Sequence, residues 1–319
     1  MGAMMRILIS APCSKPEVTG ASIGRAFVSL GHEVFMFDHR LFKNLTGIQG
    51  AVKSLFAISK WFKPDFTLII RGEIFTGFPY EEFHSITQSP IALWHFDFNS
   101  QVLPNDLVEL VKAVDWTLLI NYPWVTVLQH QKVNAFWLPQ AADEEVFHPP
   151  SNFKPQHKTQ LGFIGGFKEP RDKLISLLRK DFSVQIWGEH WNKCKDHQDI
   201  WQGPAYLGKF NEACHSADII INTTVYQDWP IYERTVSQRV YMALASKAFM
   251  LTDDVPGLTT IFQQNEIATY NQNNIIEQIN KFLGSSALRE TFAYLGRLRV
   301  LKDHTYKHRA KEILRIVQQ

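Results

Sequence analysis

Two groups of cationic residues stand where a loop meets the end of an apolar run. Gly162-Phe163-Ile164-Gly165-Gly166 is followed within six residues by Lys168 and Arg171. Small residues let a ligand approach the backbone, and Lys and Arg supply charge-assisted donors to phosphate oxygens. A solvated basic loop reads equally well from these residues alone. Ser237 and Arg239 open a second helical pattern that runs into Tyr241, Ala243 and Leu244. A hydroxyl, a guanidinium and unpaired helix N–H groups together suit a diphosphate, and an Arg in the first turn is otherwise poorly placed against the helix dipole. His95 and Asp97, in Trp94-His95-Phe96-Asp97, end another apolar run and could do acid–base work there. The plainer alternative is a hydrogen-bonded structural histidine and a capping aspartate. Gly20-Ala21-Ser22 is expected in a loop before a helix, either as a phosphate or sugar contact or as an ordinary turn with Ser22 as N-cap.

These residues need elements that bring them to one edge. Arg6 to Ser10 reads as a buried strand, Ile23, Ala26, Phe27 and Leu30 as a helix closed by Gly31, and Val34 to Phe37 as the next strand. That βαβ unit implies a parallel sheet. Further strands are expected at Phe66 to Ile70, Ile91 to Trp94, Trp116 to Ile120 and Phe136 to Leu138. Residues 139–155 carry four prolines and few apolar residues, the composition of a linker. Beyond it a second α/β pattern begins. Its strands are expected at Gln160 to Ile164, Ser183 to Trp187, Asp218 to Asn222 and Ala248 to Thr252. Helices are expected at Lys173 to Leu178, Asn211 to Ser216 and Ser237 to Ala245, with Leu288 to Val317 mostly helical. The fold class is therefore α/β, with two Rossmann-like domains facing a central cleft, where ligands meet the carboxyl ends of strands.

Composition agrees with that class and excludes others. The chain has 319 residues, 45% of them hydrophobic, and 33 Lys plus Arg against 31 Asp plus Glu. A net charge of +2 gives no electrostatic case for nucleic-acid binding. Three cysteines without a CxxC pair argue for a reducing compartment, and no apolar run reaches the roughly 18 residues of a membrane span. A cytoplasmic protein is expected. The nicotinamide-type GxGxxG and the P-loop GKS or GKT are missing, which argues against a dehydrogenase. Asp97-Phe98-Asn99 and Asp253-Asp254 lack a supporting ligand cluster in sequence, so no metal site is expected. The tryptophans, spread over both halves, are given no site role.

The opening βαβ turn, ending in Gly31-His32-Glu33-Val34, resembles that of GT-B glycosyltransferases. The second half resembles the group that includes the CgeB-like and glycosyl transferase family 1-like proteins. The resemblance runs through Leu138-Pro139-Gln140-Ala141-Ala142-Asp143, Phe147-His148-Pro149, Gly162-Phe163-Ile164-Gly165 with Arg171, and Trp187-Gly188. It continues through Tyr206-Leu207-Gly208, Ala217 to Asn222, Ser237-Gln238-Arg239-Val240-Tyr241, Leu251-Thr252-Asp253 and His304 to Ala310. It implies a GT-B fold with an acceptor domain over residues 1–150, a nucleotide-sugar donor domain over 151–302, and a C-terminal helix, 303–319, returning to the first domain. It also implies transfer of a sugar from a nucleotide diphosphate donor to a protein, glycan or small-molecule acceptor, without a bound metal or other cofactor. Gly20, Gly165, Lys168, Arg171, Tyr206, Leu207, Asn222, Ser237 and Arg239 are the expected donor contacts, and His95 and Asp97 the expected catalytic pair. Met242 stands where the family usually has a glutamate for the donor ribose, and Lys247 where it has a glycine; Glu233 does not restore the spacing. The alternative that Met242 motivates is a catalytically inactive binding or scaffold protein of the same fold.

Overall fold

The computed structural model describes residues 3–71, 78–96, 105–224 and 233–319. The chain divides into two compact units, and the division is not a single cut. Unit 1 runs to Gln140 and takes in a segment ending at Thr235 and the terminal Tyr306–Gln319; unit 2 takes in the rest.

Unit 1 alternates strands and helices: β1 (Arg6–Ser10), α1 (Thr19–Ser29), β2 (Glu33–Phe37), α2 (His39–Phe62), β3 (Phe66–Ile70), α3 (Tyr80–Thr87), β4 (Ile91–His95), α4 (Asn105–Ala113), β5 (Trp116–Leu119), α5 (Tyr122–His130) and β6 (Ala135–Trp137). The strands form one parallel sheet in the order β2-β1-β3-β4-β5-β6. β3 and β4 are buried along their whole length, as expected of central strands covered on both faces. Leu8, Leu55, Ile69, Phe83, Leu93 and Leu119 form the core.

Unit 2 repeats the scheme with β7 (Thr159–Ile164), α6 (Glu169–Leu178), β8 (Val184–Trp187), α7 (Gly208–His215), β9 (Ala217–Asn222), α8 (Gln238–Ala245), β10 (Met250–Asp253), β11 (Ala268–Tyr270), α9 (Ile275–Leu283) and α10 (Ser286–Asp303). Its parallel sheet has the order β11-β10-β9-β7-β8 over a core of Phe163, Ile186, Ile221, Leu251 and Ile279. The last helix, α11 (Tyr306–Val317), belongs to unit 1. There the Tyr306 hydroxyl donates to Thr19 Oγ1 at 3.1 Å, and Arg309 donates to the carbonyls of Pro139 and Gln140 at 2.7 and 2.8 Å.

The first stretch of unit 1 ends at Gln140, where a boundary at residue 150 was expected. The proline-rich stretch does not behave as a linker throughout. Ala142 bridges Thr305, the Asn211 side chain donates to the Val146 carbonyl, and buried Phe147 meets Phe210 edge to face, so it packs with unit 2. A second correction concerns Gly20. It lies inside α1, which starts at Thr19 after Val18, and Ser22 is a buried helical residue rather than a cap. A Cβ on Gly20 would overlap the Pro12 carbonyl and stand 2.7 Å from Ala11 Cβ. Glycine is required there by the close approach of helix and preceding loop. No helix among the described residues is long and apolar enough to cross a membrane.

Candidate functional site

In unit 2 the strand order reverses between β7 and β9, and the crevice outside their carboxyl ends is the usual ligand position of an open parallel sheet. β7 ends at Ile164 and runs into Gly165-Gly166, while β9 ends at Asn222. Arg239, in the first turn of α8, reaches this point. Its Nη1 donates to Asn222 Oδ1 at 2.8 Å, and its guanidinium carbon lies 5.2 Å from the centre of the Phe163 ring. Arg171, in the first turn of α6, lies 5.8 Å from the same ring and donates to the Gly166 carbonyl at 2.7 Å. Four of the expected residues, Gly165, Arg171, Asn222 and Arg239, are therefore brought together around Phe163.

Each is held by a specific contact. Asn222 turns its oxygen to Arg239, which can only donate, and its Nδ2 donates to Thr252 Oγ1 at 2.8 Å. The Thr252 hydroxyl donates to Asp253 Oδ1 at 3.1 Å, and the Tyr270 hydroxyl donates to the Asn222 carbonyl at 2.9 Å. Gly165 donates to the Trp187 carbonyl and accepts from Trp191 Nε1, both at 2.7 Å. A Cβ on Gly165 would stand 2.7 Å from Arg239 Nη2. Gly188, at φ +144°, keeps the neighbouring turn equally close, since a side chain there would overlap the Gly165 carbonyl.

The electrostatics follow from this packing. Burial, and next the like charge of Arg171, depress the Arg239 pKa, with Asp253 opposing them. A guanidinium nonetheless stays protonated at neutral pH. Asp253 is itself buried, which raises its pKa against the hydrogen bonds from Thr224 and Thr252. Two cations thus share a partly dehydrated site with one restrained carboxylate, an arrangement suited to an incoming anion.

The remaining expected residues lie at different depths. Lys168 is exposed at the N-cap of α6, and Ser237 is the half-buried N-cap of α8, whose hydroxyl makes no capping bond. Tyr206 and Leu207 are exposed beside α7, with Leu207 in the unusual region φ 51°, ψ −129°. The Tyr206 hydroxyl donates to Glu189, whose carbonyl accepts from Phe167 N at 2.9 Å, which ties Tyr206 to the Gly165-Gly166 loop. Met242 is half-buried in α8, and Glu233 belongs to unit 1. Sequence reasoning passed over Phe163, Glu189, Trp191 and Tyr270. The first two lay inside or next to quoted motifs; nothing in the sequence ties Trp191 or Tyr270 to the loop.

In unit 1, His95 ends β4 and is buried. Its Nδ1 lies 2.6 Å from the Arg71 carbonyl. A carbonyl only accepts, so Nδ1 carries the proton and Nε2 is the basic nitrogen of the neutral ring. Arg71, directly after β3, holds φ +75°, a conformation costing an arginine on the order of 1–3 kcal/mol. It was not expected, although a cation at a strand's carboxyl end is a readable signal. Asp97 lies outside the described residues.

Among the described residues, one group of side chains has metal-ligand types. Potential ligand atoms of Asp172, Cys194 and His197 lie within 4.8 Å of one another. Hydrogen bonding already occupies them: Asp172 Oδ1 is 3.3 Å from Cys194 Sγ and 3.0 Å from His197 Nε2, and Arg179 Nη1 is 3.1 Å from His197 Nδ1. A guanidinium on the far ring nitrogen opposes a second cation, and the network fastens the loop after β8 to α6. Asp253 is turned to Thr224 and Thr252, while Asp254 is exposed.

Residues 171–315 match the family described as glycosyl transferase-like. No curated protein matches the chain. Among solved structures, sucrose-phosphate synthase from Thermosynechococcus elongatus is 12% identical, with 99% of each chain covered and a TM-score of 0.70. A glycosyltransferase from Rickettsia africae ESF-5 is 14% identical over 98% of this chain and 97% of that one, with a TM-score of 0.67. Anabaena HepE, in complex with UDP and glucose, is 11% identical over 98% and 99%, with a TM-score of 0.69. The solved structures show that the chain has the GT-B fold, and residues 171–315 are similar to the glycosyl transferase-like family. The matched stretch contains both Arg171 and Arg239.

Proposed function

We propose that this chain transfers a sugar from a nucleoside diphosphate sugar to a hydroxyl-bearing acceptor, with side chains rather than a bound metal neutralising the leaving diphosphate. The carrying observation is the pair Arg239 and Arg171 on Phe163 at the strand switch of unit 2, with Gly165 clearing the approach. In the reaction the acceptor oxygen bonds to the anomeric carbon, and the bond from that carbon to the diphosphate oxygen breaks. The negative charge then grows on the diphosphate, where guanidinium donors stabilise it more in the transition state than in the bound donor. Lys168, Ser237 and the first N–H groups of α8 extend the same cradle. Tyr206 and Leu207 are assigned to the nucleoside. His95, protonated on Nδ1, is assigned to receive the acceptor proton on Nε2. Neighbours crystallised with UDP and glucose support this donor class.

Calorimetric titration with UDP, GDP and ADP tests the proposal. Arg239→Ala is expected to weaken the preferred nucleoside diphosphate roughly ten- to a hundredfold, because charge-assisted bonds to phosphate contribute about 1.5–3 kcal/mol. Unchanged affinity removes Arg239 from the donor site. Donor hydrolysis or transfer, followed in the same samples, tests whether Met242 is compatible with turnover.

A further inference from the structure

We infer that Glu189 reads the ribose of the nucleotide: its carboxylate accepts from the 2′- and 3′-hydroxyls, so the site selects ribonucleoside over deoxyribonucleoside diphosphates. The inference rests on the donor reading given above and adds to it a residue and a selectivity.

The first observation is position. Glu189 follows Gly188 directly after β8, on a turn that touches the loop after β7. Its carbonyl accepts from Phe167 N at 2.9 Å and would lie 3.5 Å from a Cβ on Gly166. On its other side the turn is pinned through Gly188, which donates to the Gly203 carbonyl and accepts from Trp201 Nε1, both at 3.0 Å. The Glu189 side chain meanwhile reaches Tyr206, whose hydroxyl donates to Oε1. Glu189 thus joins the loop bearing Gly165 to the approach to α7. In a nucleoside diphosphate the ribose lies between phosphate and base. With the phosphates on Arg239 and Arg171 and the base at Tyr206 and Leu207, the residue between them stands at the level of the ribose.

The second is chemistry. A ribose offers two neighbouring O–H donors, and a carboxylate offers two oxygens with about four lone-pair directions. Tyr206 takes one of these on Oε1. His190 Nε2 stands 3.9 Å from Oε2, beyond hydrogen-bond length. The Glu189 side chain is 56% exposed, so acceptor capacity remains for an incoming diol. Bonds from hydroxyls to a carboxylate are charge-assisted and stronger than those between neutral groups.

The third is the state of the neighbouring acids. Glu169 pairs with Lys173 at 2.8 Å, and Asp172 lies 3.0 Å from His197 Nε2. Asp253 accepts from Thr224 N at 2.7 Å and from Thr252. Helix α8 has no acidic residue between Gln238 and Ala245, and Met242 offers only a thioether, a weak acceptor. At Glu189 the holding donor is a single phenol, which a ribose hydroxyl can join on the same carboxylate.

The test is calorimetric titration of the full chain with UDP, GDP and ADP, each beside its 2′-deoxy counterpart. The parent is expected to bind the ribo form of its preferred nucleotide about tenfold more tightly than the deoxy form, the effect of one charge-assisted bond. Glu189→Ala is expected to bring the two forms within about twofold of each other, by weakening the ribo form more than the deoxy form. Glu189→Gln, which keeps one acceptor oxygen, is expected to fall between. The side chain is exposed, so both variants are expected to melt with the parent. Equal binding of ribo and deoxy forms by the parent overturns this inference alone and leaves the donor reading standing, as does discrimination that survives Glu189→Ala. A loss in Glu189→Ala that is equal for both forms also overturns it; if confined to GDP, it assigns the carboxylate to the paired N–H donors of guanine. A parent that binds none of the three diphosphates overturns the donor reading and this inference with it.

Discussion

A half-buried guanidinium packed over the same ring as another guanidinium is held in place against its own electrostatics. At Arg239 the restraint is the short bond to Asn222, and the space it uses is the side-chain volume missing at Gly165. Gly165→Ala puts a methyl group 2.8 Å from the Arg239 guanidinium carbon and forces the side chain out of its bond. The backbone of Gly165 is not in the left-handed region, so the fold tolerates the change. Nucleoside diphosphate affinity is expected to fall towards that of Arg239→Ala, with a melting temperature close to the parent's. Calorimetry on the double variant is expected to show non-additive losses, because both substitutions remove one and the same contact. A Gly165→Ala protein that binds as the parent does would detach the glycine from the site.

At the scale of elements, Asp38 joins a strand, a loop and a helix. Its carboxylate accepts from Leu41 N at 3.0 Å, capping α2, and from Cys13 N at 2.9 Å, fastening the loop after β1. Burial raises its pKa, but the backbone donors outweigh burial and hold it below the ordinary carboxylate value. A depressed pKa in the folded state contributes stability above the ordinary pKa, and that contribution disappears as pH falls through the folded value. Asp38→Ala is expected to cost about 1 kcal/mol in urea unfolding at neutral pH. The difference from the parent should shrink in acid, and a pH-independent difference contradicts the capping account. Burial, and next the charge of Asp38, push the Cys13 thiol up to about 11. That thiol stays protonated at neutral pH and is a poor nucleophile.

Strand positions were legible because parallel strands buried on both faces are short apolar runs, and β3 occupies the same Phe66 to Ile70 in sequence and in space. Helices were less so. α2 leaves Leu41 and Leu45 outside and breaks at Gly47, so its apolar residues do not keep one period. Gly20 was legible as a necessary glycine but not as a helical one, because the atom it avoids is a carbonyl in the preceding loop.

At the scale of the molecule, unit 1 is completed by residues far away in sequence. The ring of Tyr306 lies 6.2 Å from that of Trp94, and its hydroxyl meets Thr19. Tyr306 is 2% exposed, so Tyr306→Ala opens a cavity and leaves a polar partner behind. By analogy with large aromatic truncations it is expected to destabilise unit 1 by about 3–5 kcal/mol. Scanning calorimetry should show the unit 1 transition shifted down and that of unit 2 in place. Equal shifts in both would contradict the partition of the chain.

The amino-acid sequence was sufficient for the α/β class, for most strands, and for the basic and small residues that could meet a phosphate, since these depend on local apolar runs and on residue chemistry. Only the tertiary structure decided that Arg239 meets Asn222 and Gly165, that Arg71 orients His95, that residues 141–150 pack with unit 2, and that the apolar start of α2 stays outside. Such contacts join positions separated by tens of residues, and chain folding selects among many pairs that local sequence leaves equally possible.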